Sequence, residues 1–248
     1  MNILQGLGKF GLSQAVNFVY KDPEKNMMKV MEAVDKFSGG RFPSQIQTIK
    51  DAIQDPNHAY YPYVRHVLFD IERDVAKTII NNFFFNVNLK GWKIQEELRN
   101  KYNCNIPWAI LLDPTSACNL HCTGCWAAEY GYKMNLSNEE LDSIVTQAED
   151  LGIHAFLFTG GEPLVRKADL VALAEKHNHS FFQTFTNGTL IDEQFCKDLL
   201  RIKNFAPIIS LEGFEDQNDD RRGQGVFEKV MHAMDLLKQH KLVFGHSI

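Results

Sequence analysis

Hydrophobic positions along this chain repeat with two different periods, and the change falls near residue 105. Before it the spacing is helical. Met27, Val30, Met31 and Val34 recur three and four apart, behind Asp22-Pro23, which suits a helix start with proline in the first turn. Phe42, Ile46, Ile49 and Ile53 mark a second stripe, broken by Asp55-Pro56. Val64, Val67, Leu68, Ile71 and Val75 mark a third, expected to run on toward Asn81-Asn82-Phe83-Phe84-Phe85. Each stripe is expected to be the core face of a packed helix. Lys90-Gly91-Trp92 to Tyr102-Asn103 reads as a connector with a short helix around residues 95–99.

From Trp108 onward strand and helix patterns alternate. Trp108-Ala109-Ile110-Leu111-Leu112 reads as a buried strand. Ser137-Asn138-Glu139-Glu140 is a capping box, followed by Leu141, Ile144, Val145, Ala148 and Leu151 on one helical face and closed by Gly152. Strands are predicted at 154–159, 181–185, 206–211 and 242–247, with helices after the first three. Repeated βα units imply a parallel sheet with right-handed crossovers. The fold class is therefore α/β, with a helical N-terminal extension over residues 1–104 and the βα region over 105–248.

Parallel sheets of this kind carry their chemistry at the carboxyl ends of the strands. Every chemically suggestive stretch lies just after a predicted strand: Cys118-x3-Cys122-x2-Cys125, Gly160-Gly161-Glu162-Pro163, Thr186-Asn187-Gly188 and Ser210-Leu211-Glu212-Gly213. They are expected to converge on one face.

Composition narrows the classes of function. A net charge of −5 with scattered Lys and Arg gives no basic patch, so nucleic acid is not an expected partner. Three of the five cysteines sit within eight residues, which is no disulfide framework and implies a reducing, cytoplasmic compartment. No apolar run is long enough to span a bilayer. Met1 to Gly8 lacks the basic start and apolar core of a signal peptide.

Three thiolates on one loop can hold a soft metal centre. They suit a four-iron cluster with one iron left without a protein ligand, whereas a closed electron-transfer cluster or structural zinc wants a fourth ligand. His121 is the candidate fourth ligand for zinc, and Cys104 for a closed cluster; Cys104 and Cys196 are otherwise small apolar fillers. In Gly160-Gly161-Glu162-Pro163 the glycines allow close backbone approach, Glu162 offers a carboxylate to an ammonium group, and Pro163 fixes the turn. A plain strand-to-helix turn is the alternative there, as it is at Thr186-Asn187-Gly188. For Arg221 and Arg222 the alternative is a solvated pair offsetting Asp216, Asp219 and Asp220.

The Cys-x3-Cys-x2-Cys spacing followed by Gly-Gly-Glu-Pro resembles the radical S-adenosylmethionine (SAM) superfamily, and its cofactor- and peptide-maturase subgroup in particular. The resemblance covers roughly residues 105–248. It implies a partial (β/α) barrel in which Cys118, Cys122 and Cys125 ligate a [4Fe-4S] cluster. The open iron chelates S-adenosyl-L-methionine, and reductive cleavage of the SAM S–C5′ bond yields a radical that abstracts a substrate hydrogen. It also implies SAM contacts at Gly160, Gly161, Glu162 and Pro163 (the amino group), Thr186 and Asn187 (near the ribose), Ser210 and Glu212, and Arg222 (the carboxylate). The corresponding substrates are peptides, cofactor precursors or lipids, and the electron source is a low-potential donor such as flavodoxin or ferredoxin. The alternative from another class is a non-catalytic iron–sulfur electron-transfer or scaffold protein.

Two features depart from the family pattern. Its aromatic residue before the third cysteine is Gly124 here, with Trp126 after the cysteine instead. Only five of six βα units can be placed, and the last strand has no helix after it. The expectation is a C-terminally shortened form lacking the last barrel unit and whatever caps the substrate pocket.

Overall fold

The computed structural model describes residues 14, 17–37, 40, 43–127, 131 and 134–248. Phe42 of the second stripe and the reading of residues 1–8 lie outside them. The chain divides into two compact units, Met1–Lys77 and Thr78–Ile248.

The first unit contains α1 (Pro23–Phe37), α2 (Pro43–Gln54) and α3 (Tyr61–Phe69). Met31 and Ile46 are buried, as their stripes require, but Val34 and Val67 are exposed, so these stripes are core faces only in part. The third stripe is not one helix. It stops at Phe69 and restarts as α4 (Arg73–Ile80), which runs across the division between the units. The cause is local: the Glu72 carboxylate accepts the Val75 N–H at 2.8 Å, satisfying a free donor of a new first turn.

The expected connector of residues 90–103 is instead a full helix, α5 (Trp92–Tyr102), and it continues a wide π-helical stretch, Asn81–Gly91, where the third stripe was expected to end. Asn82 and Asn86 of this stretch and Gln95 of α5 are buried and used. Asn82 donates to the carbonyls of Asn178 and Ser180, Asn86 donates to that of His179, and Gln95 donates to that of Gly152. The helices of residues 78–104 thereby dock on the βα region itself.

That region holds five parallel strands in sequential order: β1 (Ile110–Leu112), β2 (Ala155–Phe158), β3 (Phe181–Thr186), β4 (Phe205–Ser210) and β5 (Gly245–Ser247). Right-handed crossovers without a reversal of order place all connecting helices on one side, the arrangement of an open barrel segment rather than a doubly wound sheet. The connecting helices are α6 (Asn138–Asp150), α7 (Lys167–Lys176), α8 (Glu193–Ile202), α9 (Glu215–Arg222) and α10 (Val226–Gln239). The buried face is aromatic. Phe182 stacks on Phe156 and Phe158 (centroids 5.3 and 5.8 Å), and Phe205 meets Phe158 and Phe195 of α8 edge-on. The other face is less covered, with Leu157, Gln183, Phe185 and Ile208 only half-buried.

The first strand corrects the expectation of a wholly buried run. Only Ile110–Leu112 pair, Leu112 is buried, and Trp108 and Leu111 are 54% and 60% exposed. β1 is an edge strand, and Leu111 alternates onto the open face. The predicted fifth strand shortens to three residues, with Leu242 buried ahead of it. Helix α9 has no counterpart in the sequence reading, because Glu215–Arg222 contains no apolar residue to mark a face.

Candidate functional site

The four motif stretches meet at the carboxyl ends of the strands. The excursion that carries the cysteines is closed at its neck, where Thr115 bridges Asn135, Ser116 N–H donates to Met134 and Leu136 N–H donates to Pro114. Arg166 clamps this neck. Its guanidinium donates to the carbonyls of Pro114 (2.8 Å) and Leu136 (2.5 Å), to Asn138 Oδ1 (2.6 Å) and to Asp169 Oδ2 (2.9 Å). The sequence reading missed Arg166, since backbone carbonyls as partners leave no mark in a sequence.

Gly160 and Gly161 lie against the root of the cysteine loop. Gly161 N–H donates to Thr115 and Glu162 N–H donates to Ala117. A Cβ on Gly161 would stand 2.2 Å from the Ala117 carbonyl oxygen, and Gly160 has φ +105°. Close backbone packing requires glycine at both positions.

Glu162 is 1% exposed. Its Oε1 accepts from Leu164 N–H (2.9 Å) and the Thr186 hydroxyl (2.7 Å), and its Oε2 accepts from Asn187 N–H (2.7 Å). Burial pushes its carboxyl up, against the opposing pull of these donors. Asn187 Nδ2 in turn donates to Asn119 Oδ1 (2.9 Å), between Cys118 and Cys122. Asn119 donates to Thr189 Oγ1 (2.8 Å). One polar chain thus joins β2, β3 and the cysteine loop.

On the far side, Glu212 follows β4 and is gripped twice. Arg221 Nη1 donates to its Oε2 (2.5 Å), and Arg222 Nε and Nη2 donate to its Oε1 (3.1 and 2.5 Å). Burial opposes ionisation of Glu212, but these donors outweigh it and hold its carboxyl below the usual range. The solvated pair weighed for Arg221 and Arg222 does not form. Asp219 instead caps the next helix, accepting Gly225 and Phe227 N–H at 2.6 and 2.8 Å. Ser210, the last residue of β4, is half-buried on the less covered face.

Cys118, Cys122 and Cys125 are half-buried thiols, none in a disulfide. Burial pushes Cys118 and Cys122 up, while the Arg222 guanidinium pulls Cys122 the other way. Leu120 N–H points at Cys118 Sγ (3.5 Å), and Cys125 N–H closes a turn on Cys122. Gly124 takes φ +70° in that turn, with open space around it. Among the described residues no three His, Cys, Asp or Glu side chains stand in a ready metal-holding set. The fit to an iron–sulfur cluster is therefore one of donor chemistry: three soft ligands on one loop, none of them in a disulfide. Cys104 is exposed beyond α5 and Cys196 is buried in α8, its thiol pushed up to about 11 by burial.

Beside the loop lies a cleft of about 500 Å³, lined among others by Ser116, Trp126, Met134, Gly160 and Gly161. Trp126 is 59% exposed on its rim. No helix among the described residues is long and apolar enough to cross a membrane.

The chain is 33% identical over 160 residues to a cysteine-type anaerobic sulfatase-maturating enzyme of Clostridium perfringens, covering 56% of this chain and 43% of that protein. It is 30% identical over 141 residues to Fe-coproporphyrin III synthase of Methanosarcina barkeri (55% and 35% covered), and 39% identical over 151 residues to GTP 3′,8-cyclase of Desulforamulus reducens (55% and 45% covered). It thus spans less than half the length of these relatives. A solved structure of anSMEcpe with bound AdoMet and Cp18Cys peptide superposes with a TM-score of 0.49 at 31% identity, over 56% of this chain and 42% of that one. Residues 112–246, more than half of the chain and all three clustered cysteines, match the Radical SAM superfamily, and the chain belongs to that family of iron–sulfur, SAM-binding proteins.

Proposed function

We propose that this chain is the catalytic core of a radical SAM enzyme that cleaves SAM reductively and abstracts a hydrogen from an organic substrate. The observation that carries this reading is the convergence, at the strand ends, of a loop bearing three thiols free of disulfides with the Gly160–Pro163 turn that packs against its root. In this reading Cys118, Cys122 and Cys125 hold a [4Fe-4S] cluster. When bound, that cluster supplies the single electron that breaks the S–C5′ bond of SAM, drawn from a low-potential donor such as flavodoxin or ferredoxin.

The chain's own residues then bind and orient. The Gly160-Gly161-Glu162-Pro163 backbone, Thr186, Asn187, Ser210, Glu212 and Arg222 form the SAM side of the site. Glu162 enters as support rather than as a free carboxylate, because its side chain already accepts three hydrogen bonds out of solvent. Arg222 is paired to Glu212 through Nε and Nη2, and Nη1 is the donor it would offer to the SAM carboxylate.

The relatives' names differ in substrate, a sulfatase, a porphyrin and a nucleotide, while they share the matched segment. The segment therefore supplies the common chemistry, and the substrate is selected by parts that differ. The candidates remain a peptide, a cofactor precursor or a lipid.

The test is anaerobic reconstitution followed by reduction in the presence of SAM. Iron should bind and 5′-deoxyadenosine should form. Cys118→Ala, Cys122→Ala and Cys125→Ala should each abolish both, and Cys104→Ala neither. Zinc in place of iron, or iron without SAM cleavage, would overturn the reading, the second outcome in favour of an electron-transfer or scaffold protein.

A further inference from the structure

Thr123 lies inside the second half of the cysteine loop, between Cys122 and Cys125. Its N–H donates to the Arg221 carbonyl at 2.8 Å, and its own carbonyl faces Arg221 Nε at 3.4 Å. The Cys122–Cys125 turn is therefore docked on the last turn of α9. This helix is polar throughout, and its buried residues are Asn218 and Asp219. Apolar burial cannot fix its position, so polar contacts must.

Those contacts form a continuous path. β4 is held to β5, and Leu211 N–H continues the pairing to the Ser247 carbonyl at 2.9 Å. Glu212 follows at once. Its N–H donates to Asn218 Oδ1 (3.3 Å), and its carboxylate holds both Arg221 and Arg222. Two residues before Arg221, Asp219 ties the helix to the start of α10. Arg221 is the residue that joins this frame to the loop, through its carbonyl and its guanidinium together.

We propose that Arg221, anchored by Glu212, is a positioning residue that fixes the Cys122–Cys125 turn and so governs how firmly the loop keeps its cluster. The inference rests on the radical SAM reading of the site and adds a role for a residue outside the motif set. Arg222 stays on the SAM side, whereas Arg221 acts on the protein loop.

The experiment uses the full chain reconstituted without oxygen. Iron loss to a ferrous chelator is timed, and the electron paramagnetic resonance spectrum of the reduced cluster is recorded without SAM. Arg221→Gln should release iron about threefold faster, a modest factor because the guanidinium is half-exposed, and should change the spectrum. Glu212→Gln should move both readouts the same way. Arg221→Lys should fall between, keeping the charge and losing the planar fork. Arg201→Gln is the control, since it removes an exposed pairing with Glu175 and Asp198 on α7 and α8. A wild-type chain that takes up no iron overturns the reading of the site and this inference with it. A wild-type chain that loads iron, with Arg221→Gln matching it in rate and spectrum, overturns this inference alone. So does an Arg201→Gln effect as large as that of Arg221→Gln, which would make the change one of global stability.

Discussion

Glu162 Oε2 accepts the backbone N–H of Asn187 at 2.7 Å, out of reach of solvent. With the Thr186 hydroxyl bond to Oε1, this bond joins the turn after β2 to the end of β3. Oε1 is already occupied by Leu164 N–H and Thr186 Oγ1, so both carboxylate oxygens face donors. A group that only accepts is what this position needs.

Glu162→Gln therefore puts an NH2 against at least one fixed donor. The expected loss is about 1–3 kcal/mol of unfolding free energy, the cost of leaving a buried donor without a partner. Urea titration of wild type and variant measures it at neutral pH. An unchanged midpoint would show that the turn tolerates the mismatch and that Glu162 is not structural.

Much of this arrangement is legible in the sequence, and the rest is not for identifiable reasons. β3 reads clearly because Phe181-Phe182-Gln183-Thr184-Phe185 is rich in aromatic and β-branched residues and is closed by Thr186-Asn187-Gly188. The Ser137–Glu140 box reads clearly because two side chains at fixed spacing satisfy two backbone donors, and both bonds form. Helix α9 leaves no periodic signal, being polar on every side. Asn82 and Asn86 carry no sequence mark of their role either: nothing in the pattern shows that these polar side chains are buried and donate to carbonyls almost a hundred positions away. Glu162 was legible as important through its motif, but a carboxylate spent wholly on its own protein cannot be told in sequence from one offered to a ligand.

The cysteine loop should be sensitive to a single methyl group at one glycine and tolerant at another. Gly161→Ala drives a Cβ to 2.2 Å from the Ala117 oxygen and 2.6 Å from the Ser116 oxygen, both backbone atoms. The loop root must shift, at a cost of roughly 3 kcal/mol, the upper end for overpacking. Gly124→Ala meets no atom within 4 Å, and its cost comes from φ +70° alone, about 1–2 kcal/mol. Denaturant midpoints for the two variants, with iron retention after reconstitution, separate steric from conformational cost. Equal losses would contradict the close approach at Gly161.

Asp219 sets a dependence on acid. The N–H groups of Phe227 and Gly225 hold its carboxyl below the usual range. A depressed folded-state value means that the contribution is present above the unfolded value of about 3.9 and is lost as pH falls through the folded value. Asp219→Asn should lower the melting temperature at pH 6, and the gap to wild type should close as pH drops below about 4. A gap that stays constant across that range would show that the carboxylate's charge is not what the two N–H groups hold.

Arg166 closes the neck of the cysteine excursion from outside the motif set. It gives hydrogen bonds to two carbonyls and two side chains on three segments, and its side chain is largely buried. The planar fork is essential to this geometry, because a lysine ammonium reaches one or two of the four acceptors. Arg166→Lys leaves the Pro114 or the Leu136 carbonyl without its donor and should cost about 2–3 kcal/mol, in the range for charge-assisted bonds partly screened by solvent. The neck joins the residues just before Cys118 to those leading into α6, so the variant should also expose backbone amides there. Hydrogen exchange at Ser116 and Leu136 reads this directly, since both amides donate across the neck. Faster exchange at both, with α8 and β4 protected as in wild type, is the expected pattern. Uniform acceleration throughout the second unit would instead make Arg166 a contributor to global stability, and unchanged exchange would remove it from the neck altogether.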